Sequence, residues 1–375
     1  MKILYLTTAI RNEDYISLLN QGYRLSNPSN QNFHEKMIQA LALTNEVSVI
    51  SLVPSLDHDF TLSDSGIFHY VNSSGSPLNR LFWRKKKVFK IAKCLQKNGL
   101  DIVVFDSLSL QLGEVSSRLK KVFSLPTAAL VTDNPENLAK AHPIFISGVK
   151  SAVKASNGVI ALSEGLIKAF DVEKKPHILF PGLVEKPQTG RPLFANGTYL
   201  YFGGALLPRY GVNDLVKAYL EIPMDYDLVL AGHAEGNEEL LSLIHSNPRI
   251  HYLGQVSKEE NYTLEKYAAL LVNPRPFESK LDQESVPSKL LEYLESGSPI
   301  LSTPHTLLRK EFPQDINWLT SSGKDALALF FKNHLNGEKK WVNLLPNNAK
   351  ENLYAQYGLE AIDKKVQDFL QSLKA

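Results

Sequence analysis

The sequence predicts an α/β protein of two domains, each built on a parallel β-sheet. Short apolar segments rich in Val, Ile and Leu alternate with helical segments over nearly the whole chain, which is the pattern of strands buried on both faces. A stretch dense in proline and glycine interrupts this alternation near the middle. The length of 375 residues also exceeds one ordinary core, because domains usually hold roughly 100–200 residues.

The interruption separates the two predicted domains. The first covers residues 1–180, a linker covers 181–197, and the second covers 198–349. The last helical segment, about 350–375, can pack on either domain, including back onto the first. Ligands of open parallel sheets bind beyond the carboxyl ends of the strands, so the loops after strands are the places to search. The strands expected are 2–8, 46–53, 102–105, 127–131, 158–162 and 177–180, then 198–202, 227–231, 250–253, 269–272 and 299–302.

Composition excludes several classes of protein. The 41 Lys and Arg against 39 Asp and Glu give a net charge of +2, which argues against a nucleic-acid partner. The single cysteine, Cys94, can form neither an internal disulfide nor a zinc site alone, which favours a reducing compartment. The first residues resemble a buried strand rather than a signal peptide, and no uncharged apolar run approaches the roughly 18 residues of a spanning helix. We therefore expect a cytoplasmic protein.

A glycine-containing loop follows the first predicted strand of the second domain. It reads Gly203-Gly204-Ala-Leu-Leu-Pro-Arg209-Tyr210-Gly211 and leads into a helix. Glycines at such a junction let a phosphate approach backbone N–H groups and the positive helix end, and Arg209 adds a cation for a diphosphate. A tight turn with a solvent-exposed arginine explains these residues equally well, because no full Gly-x-Gly-x-x-Gly is present.

A second loop begins at Asn273-Pro-Arg275 and ends in a proline-started helix, Glu284-Ser285-Val286-Pro287-Ser288-Lys289-Leu290-Leu-Glu292. The first N–H groups of that helix, on Ser288, Lys289 and Leu290, are free to meet an anion. The carboxylate of Glu292, one turn further on, can accept two hydroxyls of a ribose or sugar. A solvated carboxylate is the ordinary alternative, but two glutamates spaced across Pro287 favour a function.

These residues resemble a known family. Glu284 to Glu292 is similar to the Glu-x7-Glu motif of retaining GT-B glycosyltransferases of group 1, which are family 4-like, and the Pro-Ser-Lys-Leu-Leu-Glu-Tyr run is typical of bacterial polysaccharide-assembly members. Leu230-Ala-Gly232-His233 and His251-Tyr-Leu-Gly-Gln-Val256 resemble further segments of that fold in the right order, and Asn32-Phe-His34 resembles its first helix. The resemblance implies the GT-B fold, with two Rossmann-like parallel-sheet domains facing across a cleft.

The resemblance also implies a nucleoside-diphosphate-sugar donor, bound mainly by the second domain. Glu292 would hold the ribose, and Glu284 with the backbone of Ser285 and Val286 would face the donor sugar. Arg209 and Lys289 would neutralise the diphosphate, and the main chain around Val256 would meet the base. The remaining donor-binding candidates are Gly203, Gly204, Arg275, Ser288 and Leu290. Such enzymes need neither a bound metal nor another cofactor, and a UDP-sugar is the favoured donor.

The sequence departs from the family pattern at several points. The usual arginine and lysine of the first loop align with Ala205 and Tyr210, so Arg209 must act from a neighbouring position or that contact is lost. Asp133 follows a strand and could reach the donor sugar or the acceptor, or it could cap the turn before Pro135. His34 is a second catalytic candidate in the first domain, although a histidine on an amphipathic helix is usually packed or solvated.

Residues 80–97 form a strongly basic segment. From Asn79 to Lys97 the chain carries eight basic residues and no acid, and Trp83 lies beside Arg84–Lys87. A polybasic segment gains about 1 kcal/mol per cation near anionic headgroups, which makes a peripheral membrane contact one interpretation. A solvated helix face with a partly buried tryptophan is the other. A membrane contact would put the protein at the inner face of the membrane.

The sequence thus favours a glycosyltransferase of the hexosyltransferase class, acting on a glycan or lipid-linked glycan in bacterial-type polysaccharide or glycoconjugate assembly. An epimerase of the same fold would need an acid and a base on both faces of the sugar, for which Asp133 and Glu284 are the only pair in view. A catalytically silent partner of a transferase is compatible with the missing arginine and lysine, but the retained Glu284 and Glu292 argue against it.

Overall fold

The computed structural model describes residues 1–21, 23, 28–53, 61–72, 77–138, 141–186, 189–277, 283–284, 288–335 and 347–374. These residues form two compact units. The first contains the chain up to Leu183, with Gln283, Glu284 and the C-terminal segment from Tyr357. The second begins at Val184 and contains the rest. The change of unit falls inside the stretch that the sequence analysis assigned to a linker.

The first unit is built on a seven-stranded parallel sheet of order β3-β2-β1-β4-β5-β6-β7. Its strands are β1 (Lys2–Thr7), β2 (Glu46–Leu52), β3 (Phe68–Val71), β4 (Ile102–Asp106), β5 (Thr127–Val131), β6 (Gly158–Ala161) and β7 (His177–Leu179). Its helices are α1 (Asn12–Asn20), α2 (Pro28–Ala42), α3 (Pro77–Gln96), α4 (Leu110–Phe123), α5 (Pro143–Ala155) and α6 (Glu164–Ala169), joined by the C-terminal helix Leu359–Ser372.

Side chains of the first sheet alternate between two cores because successive residues of a strand point to opposite faces. In β1, Ile3 and Tyr5 belong to a core shared with α1, α2 and the C-terminal helix. Leu4 and Leu6 belong to a second core shared with α3, α4, α5 and α6. Both faces of the sheet are therefore covered, which explains why its strands are continuously apolar.

The second unit is built on a six-stranded parallel sheet of order β10-β9-β8-β11-β12-β13. Its strands are β8 (Tyr199–Gly203), β9 (Asp227–Ala231), β10 (Ile250–Tyr252), β11 (Leu270–Asn273), β12 (Ile300–Ser302) and β13 (Asn317–Trp318). Its helices are α7 (Val212–Glu221), α8 (Glu238–His245), α9 (Lys258–Tyr267), α10 (Ser288–Ser296), α11 (Thr306–Glu311), α12 (Lys324–Leu335) and α13 (Asn347–Tyr357). The C-terminal helix of the first unit is then α14.

The strand order reverses between β8 and β11, and ligands of doubly wound sheets usually bind beyond the carboxyl ends of the strands at such a reversal. The glycine-containing loop identified in the sequence follows β8, and the loop that leads to Glu284 and Glu292 follows β11. The predicted class, two Rossmann-like parallel-sheet domains with helices, is confirmed.

Several elements differ from the sequence expectation. Strands β3 and β13 were not expected; they are short and lie at the edges of their sheets, where the apolar signal is weakest. The apolar stripe of Val88, Ile91, Ala92 and Leu95 predicts a helix only from Val88 onward, but α3 begins at Pro77, because the run of basic residues before Val88 hides the helical period. The last helical segment is divided at Gly358 into α13 and α14, and only α14 packs on the first unit.

Candidate functional site

The loop after β8 is held by very close backbone contacts. The N–H of Gly204 donates to the carbonyl of Ala231 (2.9 Å), and the N–H of Gly203 donates to the hydroxyl of Tyr293 (3.3 Å). A Cβ on Gly232, whose φ is +132°, would lie 1.7 Å from the carbonyl oxygen of Gly204. The amides of Gly203 and Gly204 are thus used inside the protein and are not available to a phosphate.

Arg209 lies on a short 3₁₀ helix, Pro208–Tyr210, with its guanidinium 5.0 Å from the centre of the Tyr210 ring. Its side chain is exposed. The following Gly211 has φ +74°, and a Cβ there would lie 2.1 Å from the carbonyl oxygen of Pro274. Gly211 therefore lets the loop after β8 touch the loop after β11, and Arg209 lies next to that contact along the chain.

Lys289 is the centre of a charged cluster at the start of α10. Its Nζ lies 3.1 Å from Oε2 of Glu292 and 4.0 Å from Oε1 of Glu265. Its Cε would lie 3.3 Å from a Cβ on Gly204, so the missing side chain of that glycine makes room for the lysine. Burial lowers the pKa of Lys289, but Glu292 and Glu265 outweigh it and the pKa is raised overall, so the ammonium is charged.

The side chains of Lys289 and Glu292 are 30% and 33% exposed, so both are accessible to a ligand. Ser288 is also exposed, whereas Leu290 is fully buried and can offer only its backbone. The candidates Ser285 and Val286 lie outside the described residues, as does Pro287. The described part of the α10 start thus presents one cation and one carboxylate directly above the loop after β8.

Glu265 was not recognised in the sequence, although it contacts this cluster. It accepts a hydrogen bond from Nδ2 of Asn261 (2.7 Å), and Oδ1 of Asn261 accepts one from the hydroxyl of Tyr201 (2.8 Å). Burial raises the pKa of Glu265 to about 8, against the opposing effect of Lys289. The only signal in the sequence is the spacing of Asn261 and Glu265, which puts both on one face of α9.

Val256 and Arg275 lie in two different loops of the second unit, after β10 and after β11. Val256 is half-buried in the segment that follows β10, where the carbonyl of Gly254 accepts the N–H of Gly232 (2.6 Å). Arg275 is half-buried after β11, and its carbonyl accepts a hydrogen bond from the hydroxyl of Thr303 (2.6 Å). The segment of Val256 thus contacts the loop after β9 through Gly254, and Arg275 follows Pro274, which lies against Gly211 of the loop after β8.

Glu284 is held by two asparagines of the first unit. Its Oε2 accepts hydrogen bonds from Nδ2 of Asn137 (2.7 Å) and from Nδ2 of Asn134 (3.0 Å). Both asparagines lie at the 3₁₀ turn after β5, where Asn134 also caps the turn by accepting the N–H of Glu136. Glu284 is only 6% exposed. The sequence analysis chose the neighbouring Asp133 and missed both asparagines, which carry no recognisable spacing.

Asp133 accepts the N–H of Asn134 (2.8 Å), so it forms a turn of its own beside the cap, and its side chain is half-buried. His34 is completely buried. Its Nδ1 lies 2.7 Å from the hydroxyl of Tyr5, and its Nε2 lies 3.4 Å from Oδ2 of Asp106. Because the imidazole is not exposed, it can influence a ligand only through its neighbours.

The described residues contain no group of three or more His, Cys, Asp and Glu side chains that could hold a metal ion. Asp227, the second acid of an Asp-x-Asp sequence, is instead paired with Arg249 and His251, and these contacts lower its pKa although burial opposes them. Within the described chain, none of the helices combines the length and apolarity of a membrane span.

Part of the chain is similar in sequence to known glycosyltransferases. Residues 189–351 match the family model described as glycosyl transferases group 1. An uncharacterized glycosyltransferase of Methanocaldococcus jannaschii is 25% identical over 173 residues, which span 42% of this chain and 43% of that relative. The match thus covers less than half of the curated relative. The resemblance to group 1 glycosyl transferases is thus confirmed over residues 189–351, whereas this match does not test retention of configuration.

Solved structures share the fold of the whole chain. Sucrose-phosphate synthase from Thermosynechococcus elongatus has a TM-score of 0.73 at 16% identity, with 100% of this chain and 99% of that chain covered. HepE from Anabaena, in complex with UDP, has a TM-score of 0.68 at 15% identity, with 99% and 100% covered. The lipopolysaccharide outer core galactosyltransferase WaaB has a TM-score of 0.62 at 14% identity, with 99% of each covered. The protein has the GT-B fold.

Proposed function

We propose that this protein is a glycosyltransferase that moves a sugar from a nucleoside-diphosphate sugar to a glycan or lipid-linked glycan, with retention of configuration. The observation that carries the proposal is the pair formed by Lys289 and Glu292. A cation and a carboxylate lie 3.1 Å apart at a helix start, beside Gly204 and within the residues that match the family. They match the two charged or polar parts of such a donor, its diphosphate and its ribose.

Donor binding would exchange this ion pair for two ligand contacts. The carboxylate of Glu292 would accept the ribose hydroxyls, and the ammonium of Lys289 would turn to the phosphates, joined from the neighbouring loop by Arg209. Charge builds up on the leaving phosphate during transfer, so cations fixed in advance near it lower the barrier. In this proposal the two side-chain cations take the role that a metal ion would otherwise have. A UDP-sugar is the favoured donor, in keeping with the UDP, UDP and glucose, and UDP-glucose complexes of HepE.

Glu284 would act on the donor sugar. Its Oε2 is fixed by Asn134 and Asn137, and neither of these two bonds uses Oε1. A carboxylate oriented in this way suits a group that has to meet a developing positive charge or orient a hydroxyl at the sugar. Retention would be tested by NMR of the product, in which the new linkage must have the anomeric configuration of the donor.

The proposal also includes a location of the protein at the surface of a membrane. A lipid-linked acceptor would be met at the inner face of a membrane, and the basic segment 80–97 is the part of the chain suited to that contact. The place in metabolism would be bacterial-type polysaccharide or glycoconjugate assembly. A silent partner subunit and an epimerase of the same fold are the competing functions, and the donor experiments separate them.

The deciding experiment is thermal stabilisation of the purified protein by UDP, GDP, ADP and CMP and by their common sugars. A ligand that binds only the native state adds RT ln(1 + [L]/Kd), about 2.7 kcal/mol at a hundredfold excess over Kd. We expect a shift with UDP that is lost in Glu292→Gln and Lys289→Met. Glu238→Gln, an exposed glutamate at the start of α8, is the matched control and should keep the shift.

Three outcomes separate the alternatives. If none of the nucleotides or nucleotide sugars raises the thermal midpoint, the silent partner is favoured and the proposal is overturned. A shift that survives Glu292→Gln and Lys289→Met would place the nucleotide elsewhere. Conversion of the donor to its epimer, followed by NMR without any acceptor, would identify the isomerase instead.

A further inference from the structure

The first unit concentrates cations on one face of its sheet. Helix α3 contains no acid, and from Trp83 onward it holds six cations, Arg84, Lys85, Lys86, Lys87, Lys90 and Lys93. Trp83 is 67% exposed, and the ammonium of Lys86 lies 5.4 Å from the centre of its ring. The inner side of α3 is apolar, since Val88 and Ala92 are completely buried in the core below. Lys86, Lys87, Lys90 and Lys93 are exposed on the outer side, whereas the guanidinium of Arg84 donates to the carbonyls of Val53 and Val71 and does not contribute to this outer surface.

The basic surface continues beyond α3 onto the next two helices. Helix α4 packs against both α3 and α5, so the three helices form one layer. Helix α4 adds Arg118, Lys120 and Lys121, and α5 adds Lys150 and Lys154. The only acid on these three helices, within the described side chains, is Glu114, which is paired with Lys85. Two further acids, Glu136 and Asp171, reach Lys150 and Lys154 from neighbouring segments.

On the opposite face of the same sheet, acidic residues outnumber lysines. Helices α1, α2 and α14 pack on that face. Their acids are Glu13, Asp14, Glu35, Glu360, Asp363 and Asp368, and their lysines are Lys36, Lys364 and Lys365. Helix α6, which shares the core of the basic layer, is neutral, with Glu164 and Lys168. The net charge of the whole chain is only +2, so the positive charge is concentrated on this layer rather than spread over the surface.

We infer that the outer surface of α3, α4 and α5 docks on an anionic lipid bilayer, with Trp83 at the headgroup level. Long lysine side chains reach phosphates of a flat surface, and a tryptophan is suited to the boundary between headgroups and acyl chains. Ile144, 72% exposed at the start of α5, offers a second apolar contact. This inference does not depend on glycosyl transfer, and it widens the membrane contact from one segment to three helices.

The experiment is sedimentation of the full-length protein with vesicles. Wild-type protein should bind vesicles of phosphatidylcholine and phosphatidylglycerol at 3:1, and bind phosphatidylcholine vesicles at least tenfold more weakly. Raising NaCl from 0.1 to 0.5 M should release most of it, because salt screens these charges. Lys86→Glu with Lys87→Glu and Lys90→Glu should lower binding at least tenfold, and Trp83→Ala should lower it severalfold without changing the salt dependence.

The matched control is Lys364→Glu with Lys365→Glu, two exposed lysines of α14 on the opposite face. This variant should bind anionic vesicles like the wild type, and unchanged thermal midpoints should show that every variant is folded. The inference would be overturned if the α3 variants and the α14 control lost vesicle binding equally, or if neither lost it. Retention on heparin or tRNA without vesicle binding would overturn the choice of lipid and identify a polyanionic macromolecule as the partner.

Discussion

The carboxylate of Glu265 and the ammonium of Lys289 lie 4.0 Å apart, with the carboxylate almost completely buried. Burial raises the pKa of Glu265 to about 8, although Lys289 lowers it. A buried acid beside a lysine that also contacts Glu292 makes the charge of this cluster dependent on pH. Glu265 can thus influence the proposed donor site without touching the donor.

The first prediction concerns Glu265→Gln. Between pH 4.5, the ordinary pKa of glutamate, and about 8, the folded state holds a proton that the unfolded state has lost. The free energy of unfolding of the wild type should therefore decrease over this range as pH rises, at up to about 1.4 kcal/mol per pH unit. The glutamine variant lacks this slope, so its advantage over the wild type should grow towards pH 8 and then level off.

Glu260→Gln provides a control of opposite sign on the same helix. Glu260 caps α9 and its pKa is lowered by the N–H and the hydroxyl of Ser257, so its stabilisation is present at neutral pH and disappears as pH falls through its native pKa. Urea unfolding at several pH values would measure both effects. The prediction would be contradicted if the difference in free energy of unfolding between Glu265→Gln and the wild type stayed constant from pH 5 to 9.

The second prediction concerns Gly232→Ala. The new Cβ would lie 1.7 Å from the carbonyl oxygen of Gly204, so the loop after β8 must move. We expect a loss of stability of about 1–3 kcal/mol and a much weaker thermal shift with UDP. Gly236→Ala, in the same loop after β9, is the matched control: its φ of +80° causes strain, but nothing lies within 4 Å of its Cβ. That variant should lose stability and keep UDP binding.

The sequence predicted the sheet strands well because buried parallel strands are short, continuous apolar runs. It also led to Lys289 and Glu292 as candidates, through the proline-started helix after a strand and through the resemblance of this stretch to a Glu-x7-Glu motif. Asn134, Asn137 and Glu265 could not be predicted in this way. Their importance comes from contacts between residues far apart in the chain, as between Asn137 and Glu284.

The third prediction concerns Tyr5→Phe. The hydroxyl of Tyr5 lies 2.7 Å from Nδ1 of the buried His34, and its removal leaves that ring nitrogen without this partner. An unpaired buried polar group costs about 1–3 kcal/mol, so the free energy of unfolding should fall by that amount. UDP affinity should not change, because the proposed nucleotide site lies in the second unit. Tyr267→Phe, at a half-buried position of α9, should have little effect on stability.

The last prediction concerns Asn137→Asp. Asn137 donates to Oε2 of Glu284 at 2.7 Å, and an aspartate there replaces a donor with a like charge. A hydrogen bond to a charged group is worth about 1.5–3 kcal/mol, so turnover of the donor sugar should fall roughly tenfold to a hundredfold. The affinity for UDP should remain, since Lys289 and Glu292 are untouched. Hydrolysis of the donor without acceptor is the readout, with Asn98→Asp, on an exposed turn, as the control. Full turnover in Asn137→Asp would remove Glu284 from the chemistry and leave it a structural role at the turn after β5.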